Sequence, residues 1–503
     1  MLYRDKLPEY INLWEIKYEN SQTKRIDDIS KYPLRWIDTA WAVMLIKQKI
    51  IPEKHLSKII DGILEYWGYK ELPSDQFGDL QKHIIKKFGV SVGGSLTIGR
   101  TVPPLVQIMP VRHELLKVIN VLLDFQDEIL KLSGDYLDAV MPGYTHFRHA
   151  QPTTFGHYLL SVFDPLLRTF KKIEQGYDDV NLNELGCGAL AGTSLPIDRN
   201  LVSDYLGLNG LIENCNDAVG FSDGYVSIVS ALANFMAIVS RFSLDLNLWS
   251  ASEYDFIDVP WVTAEMGESH KDGGRGTGHS YFMPNKTSNC PFLERARVGA
   301  AEVLGALTEI TAMGIRTPHG DNHEMLHMAD STLRAIRSTH LYVHTLIYTL
   351  PFIKVFKENM LNKAREGYSA ATELANCISM RYELDYRTSH EIVYEFCKES
   401  KSKKIPAFKA SIEIFQNAAQ KVLGRTLDIS EETLRENLDP VYFVKVTASQ
   451  GGVSVKESLR MLNERKEMLK QAVERQDSRI RKLEGARTKL QDDMTELKRI
   501  YCV

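Results

Sequence analysis

Cysteine is scarce in this 503-residue chain, and the six residues present (Cys187, Cys215, Cys290, Cys377, Cys397, Cys502) show no CxxC spacing. That excludes a disulfide framework and a zinc knuckle, and it predicts a reducing, cytoplasmic setting. A surplus of one charge is also lacking. With 61 basic and 65 acidic residues the net charge is −4, so no global field invites nucleic acid or an anionic membrane. No run of 18 uncharged residues occurs, and the first residues, MLYRDKLPEYINLWEIKYEN, are charged throughout. Neither a membrane span nor a signal peptide is predicted. No pattern asks for a metal or an organic cofactor, which leaves small molecules as the expected partners.

Long helical patterns fill the space. Apolar residues recur at steps of three and four through Leu105, Ile108, Met109, Leu115, Ile119, Leu122, Leu123, Ile129 and Leu130, predicting a helix over about 105–136 with a bend, if any, at Pro110. Similar runs cover 153–177, 220–248, 291–313 and 330–355. Such helices are about twice the usual length of roughly 11–12 residues. They hold too many polar residues for membrane spans and must pack together as a bundle. The expected fold is all-α, with an N-terminal, mainly helical domain (1–105), a central long-helix bundle (106–360), a C-terminal helical domain (361–455) and a tail (456–503). In the tail, Leu462, Leu469, Leu483, Leu490 and Leu497 share one heptad register, and Leu459, Val473, Ile480 and Met494 the other. A coiled coil is predicted there, paired with a second subunit or with the body of the same chain.

Three segments between the helices concentrate chemistry. The first, GGRGTGHSYFMPNKTSNCPFLE (273–294), has four glycines within six residues and then a serine, so it reads as a moving lid with a nucleophile or base at its tip. The second, MPGYTHFRHAQPTTFGH (141–157), gathers two histidines, a threonine and a glutamine in a turn closed by Pro142-Gly143. A helix beginning at Pro152 would follow, and its N-terminus would attract a carboxylate. The third, VNLNELGCGALAGTSLPIDR (180–199), is dense in small residues, as close backbone approach near a pocket or a compact turn requires.

Taken together with REGYSAATELA (365–375) and SHEIV (389–393), these segments resemble the argininosuccinate lyases of the fumarase and aspartase superfamily over roughly residues 30–460. The resemblance implies a homotetramer with a shared central helix bundle, active sites built by three chains, and a reversible β-elimination that gives fumarate and an amine. Removing a proton next to a carboxylate builds a doubly charged aci-carboxylate, so the site must hold a base and a cluster of donors and cations. A serine becomes usable as that base only where closure excludes water and positive charge favours the alkoxide.

By resemblance Ser280 takes the proton, Lys286 neutralises the carboxylate and Thr145 contacts it, while His146 works with Glu294 on the leaving-group or structural side. Asn289 matches a lid asparagine if one residue is inserted after Lys286; ungapped, Ser288 takes that place. Gln151 is a further pocket candidate. Where the family carries GRSRNDQ, this chain reads Gly99-Arg100-Thr101-Val102-Pro103-Pro104-Leu105, keeping Arg100 and the Thr101 hydroxyl for the substrate and losing the rest. The tyrosine and glutamine that hold the guanidino half become His319 and Glu324. Each lost charge-assisted contact costs about 1.5–3 kcal/mol, so a changed substrate is expected: an N-substituted aspartate or related aminocarboxylate. The alternatives are a true argininosuccinate lyase of arginine synthesis and a non-catalytic binding oligomer on the same scaffold.

Overall fold

The computed structural model describes residues 20–72, 74–76, 78–100, 105–259 and 291–502. Short helices α1 (Ser21–Ser30), α2 (Pro33–Lys47) and α3 (Leu56–Gly68) lead into α4 (Leu105–Asp135), which passes through Pro110 as one helix. A hairpin of β1 (Val140–Thr145) and β2 (Arg148–Thr154) then returns the chain to α5 (Phe155–Val180). A turn-rich segment containing α6 (Arg199–Leu206) precedes α7 (Asp223–Trp249). Two more long helices follow, α8 (Pro291–Ile315) and α9 (His323–Thr349). A smaller unit contains α10 (Ala371–Tyr382), α11 (Tyr386–Ser402) and α12 (Ile412–Leu423), and the last helix, α13, runs Val455–Tyr501.

The helix expected to start at Pro152 starts three residues later. Residues 148–154 are strand, Pro142 pairs with Pro152 across the hairpin, and Thr154 caps α5 by accepting a hydrogen bond from His157 N at 3.1 Å. Two prolines facing each other is a workable pairing because neither has an N–H to leave unbonded.

The five long helices alternate in direction. Phe155 N and Gly156 N donate to Ala139 O and Tyr136 O, tying the start of α5 to the end of α4. At the other end Arg112 donates to Asn181 Oδ1 and Leu206 O. Tyr158 with Asp245 and Ser227 with Asp179 set α7 antiparallel to α5, and Ser338 with Glu302 does the same for α9 and α8. The bundle therefore has an upper end, at the hairpin, and a lower end, at the loops 181–222 and 316–322. One hydrophobic core joins these helices to α1–α3 and α13, while residues 374–438 close around a second core.

By length and composition α7 and α8 could cross a membrane, contrary to the expectation of too much polarity. In α7 56% of the most apolar window is buried within the chain; in α8 only 22% is. Val298, Leu304 and Ile315 of α8 stand exposed.

The tail is a single helix of 47 residues, capped by Ser454, and it lies on the body of its own chain. Leu462, Leu469, Leu483, Leu490 and Leu497 are buried, as are Ile480 and Met494, whereas Leu459 and Val473 face out. Gln476, an interruption in the apolar register, is buried and donates to Leu116 O and Asn120 Oδ1 at 2.9 and 3.0 Å. Arg465 and Arg475 make two-pronged contacts with Asp164 and Glu174 of α5. Gly207 ends α6 in the left-handed region that favours glycine, and a Cβ there would stand 2.7 Å from Leu483 Cδ2, so a larger residue would strain the turn and push on the tail.

Candidate active site

At the upper end the hairpin turns in two residues, with Thr145 paired to Arg148. The turn residues, His146 (φ 52°) and Phe147 (φ 57°), both lie in the left-handed region. That is the geometry of a tight hairpin turn usually filled by Asn-Gly, and two bulky side chains there store about 1–2 kcal/mol each. The strain is tolerated because both strands are anchored. A Cβ on Gly143 would stand 2.5 Å from Gln151 O, at the irregular register between Pro142 and Tyr144. Tyr144 and His149 stack edge to face at 5.2 Å. Partial burial, with Lys363 nearby, lowers the His149 pKa. Thr145, His146 and Phe147 are exposed at the tip.

Gln151 is exposed on β2 and donates to Thr372 Oγ1 at 3.3 Å, linking the hairpin to α10 of the smaller unit. Glu294 stands exposed in the first turn of α8, also at the upper end, where a carboxylate complements the positive pole of the helix.

His319 is at the lower end. Its turn is closed by Asn322, which donates to Pro318 O and Gly320 O at 2.9 Å, and it rests against Gly220, where a Cβ would stand 2.8 Å from Gly320 N. Arg100 is at that end too, near the 186–197 segment that packs on Gly99. Its guanidinium is buried and donates to Asp38 Oδ1 at 2.9 Å, 5.7 Å over the Trp41 ring. Burial disfavours both charges, raising Asp38 and lowering Arg100, and the close contact holds them as a pair.

The structure thus gathers Thr145, His146, Gln151 and Glu294 at one end of the bundle and His319 and Arg100 at the other. From Glu294 to the end of α8 is about 32 Å of helix, at 1.5 Å per residue. No single chain can bring both groups to one small ligand. Ser280, Lys286, Asn289 and Thr101, with residues 273–290 of the glycine-rich stretch, lie outside the described residues.

One lower-end group was not singled out from the sequence. Glu184 is fully buried, and neither carboxylate oxygen has a hydrogen-bond partner among the described residues; the Tyr225 hydroxyl is in the same position. Burial pushes the Glu184 carboxyl well above its usual range, against the pull of Arg199. The only signal for it was an acid set among the small residues of 180–199. That segment is a compact turn, with Gly186, Gly188 and Gly192 at positive φ and Gly192 N donating to Cys187 O at 2.8 Å.

Comparison with known proteins finds similar chains along most of the sequence. Residues 101–271 match the sequence model of a family described as lyase. The argininosuccinate lyase 1 of Shouchella clausii is 27% identical over 444 residues, covering 86% of both chains. The argininosuccinate lyase of Methanosarcina acetivorans is 29% identical over 433 residues, covering 84% of both. Among solved structures, an EDDS lyase in complex with formate superposes with a TM-score of 0.80 at 24% identity, covering 97% of both chains. A class II fumarase from Schistosoma mansoni gives 0.63 at 15% identity, covering 84% of this chain and 95% of that one.

Proposed function

We infer that the chain is a carbon–nitrogen lyase that releases fumarate from an N-substituted aspartate, a reading supported by its match to the lyase family model and its similarity to argininosuccinate lyases. The carrying observation is the strained hairpin tip, which presents Thr145 and His146 to solvent inside the matched segment.

In this reading the Thr145 hydroxyl and Lys286 hold the carboxylate next to the carbon that loses its proton, and Ser280 is the base. Charge that develops on that carboxylate meets fixed donors rather than water. The C–N bond then breaks and the amine leaves with a proton supplied on the side of His146 and Glu294. Asn289, Thr101 and Gln151 supply further polar contacts.

A homotetramer is part of the proposal, on two supports. The outward face of α8, with Val298 and Leu304, is an apolar surface of the kind that another subunit covers. The division of candidate residues between the two ends of the bundle makes sense if a neighbouring chain, running the other way, brings its lower end to this chain's hairpin. The substrate we propose is not argininosuccinate. His319 replaces a tyrosine of the family pattern, and Arg100 is committed to Asp38.

Incubation with argininosuccinate and with fumarate plus a panel of amines, followed by the ultraviolet absorbance of fumarate, tests the reading. Turnover of at least one adduct, lost in Ser280→Ala, is the expected result. No turnover on any adduct, with Ser280→Ala indistinguishable from the parent, would overturn it.

A further inference from the structure

Below the hairpin, between β1 and helices α5 and α7, lies a cavity of about 180 Å³. Its wall includes the rings of Tyr144, Phe147, Tyr158, Trp249 and Tyr254 and one acid, Asp245. Tyr158 and Trp249 meet edge to face at 4.5 Å between centroids, and Tyr144 and Tyr254 at 5.9 Å. Phe147 is 82% exposed and forms the rim.

Asp245 accepts a hydrogen bond from the Tyr158 hydroxyl at 2.7 Å through Oδ2 and forms no ion pair among the described residues. Arg241, one turn earlier on α7, is exposed. Among the described residues the half-buried Asp245 has no ion pair, although the charge of Arg241 reaches its partner Tyr158, and aromatic rings around a carboxylate favour a cation over a neutral guest. Both features select the same ligand: a positive charge dispersed over an apolar group. A neutral apolar molecule would gain nothing from Asp245, and a strongly hydrated metal ion nothing from the rings.

Thr145 follows Tyr144 in the strand and therefore points to the opposite face of the hairpin. The cavity and the exposed Thr145 lie on opposite faces of β1.

We propose that this cavity is a second binding site, for a small alkylammonium ion of the size of choline, distinct from the site that takes the dicarboxylate. Such a ligand would rest on Phe147 and so touch the residue next to His146.

The test is calorimetric titration of the full-length protein with choline, and with dimethylbutanol as its uncharged isostere, at matched ionic strength. Choline is expected to bind at least about tenfold more tightly than the isostere, as desolvated cation–π contact and a carboxylate imply. Asp245→Asn, which keeps an acceptor for Tyr158, should weaken choline about tenfold and leave the isostere unchanged. Tyr254→Leu removes one ring without touching the Asp245–Tyr158 bond and should weaken choline if the first variant does not fold. Saturating fumarate should leave the choline affinity unaltered. Equal affinity for the two probes, no binding of choline, an indifferent Asp245→Asn or Tyr254→Leu that folds, or competition by fumarate would each overturn the assignment.

Discussion

Helices α8 and α13 are opposites in composition and in fate. The first is apolar enough to span a membrane, yet only 22% of its most apolar window is buried among the described residues, and Val298, Leu304 and Ile315 stand exposed. The second is rich in charge, yet its leucine stripe from Leu462 to Leu497 is buried, although Leu459 and Val473 face out, and Arg465, Arg475, Arg479 and Lys482 on its flanks reach polar partners on the body. Hydrophobicity summed over a helix therefore says little about where it is buried; the width of the stripe, and whether its flanks have partners, says more. The tail has packed its leucines within the protomer. The outward face of α8 is exposed.

Four experiments would break or sharpen this contrast. The largest effect is expected from Leu304→Glu. Leu304 is 57% exposed, so the folded protomer should tolerate the charge, but a covered α8 face would not. Sedimentation should show smaller assemblies, and activity should fall by about a hundredfold or more if sites are shared between chains. An unchanged sedimentation profile would remove α8 from the interface.

On the tail, Leu483→Ala should cost about 3 kcal/mol in denaturant unfolding, as large-to-small changes at buried sites do, without altering the assembly. A loss of assembly instead would mean that the tail joins subunits.

The third concerns the inner side of α9, the helix that backs α8. Burial pushes the pKa of His340 down to about 4 and that of His344 to about 3, from an ordinary 6.5. The unfolded chain takes up these protons first, so the stability they contribute is complete above pH 6.5 and is lost as pH falls toward 4. Unfolding free energy should drop by on the order of 2 kcal/mol more over that window in the parent than in His340→Gln. Equal slopes would show that His340 already carries its proton in the fold.

The smallest effect belongs to Lys489→Ala. Its pair with Asp204 at 2.7 Å is exposed on both sides and should be worth under about 0.5 kcal/mol. A larger loss in thermal unfolding would mean that the tail is held by its charges rather than by its leucines.

Much of the fold was legible in the sequence because long helices write their buried stripe at three- and four-residue steps, and the predicted ends of α4, α7 and α8 fall within a few residues of those observed. The heptads of the tail were equally legible, but not their partner, since a leucine stripe reads alike against another subunit and against α4. The hairpin escaped notice for a local reason. Its turn is His146-Phe147, where pattern expects Asn-Gly, and its second strand contains Pro152, which reads as the start of a helix. The fate of Arg100 depends on Asp38, 62 positions away, a pairing that no local pattern shows. The arrangement of the candidate residues was hidden for the same reason. Glu294 and His319 are near neighbours in sequence, and it is the length of α8 that sends them to opposite ends of the bundle.

The tail's place on the body carries a consequence for biosynthesis. Glu484 and Asp493 bind Arg25 and Lys47, and Arg487 donates to Asp28 O and Ile29 O, so α1 and α2 are completed by a helix that lies as far as 459 residues further along the chain. A ribosome adding roughly 5–20 residues per second leaves α1 and α2 waiting some 20–90 s for that strap. Through that interval they emerge with uncovered apolar sides, a natural client for the chaperones that meet nascent chains.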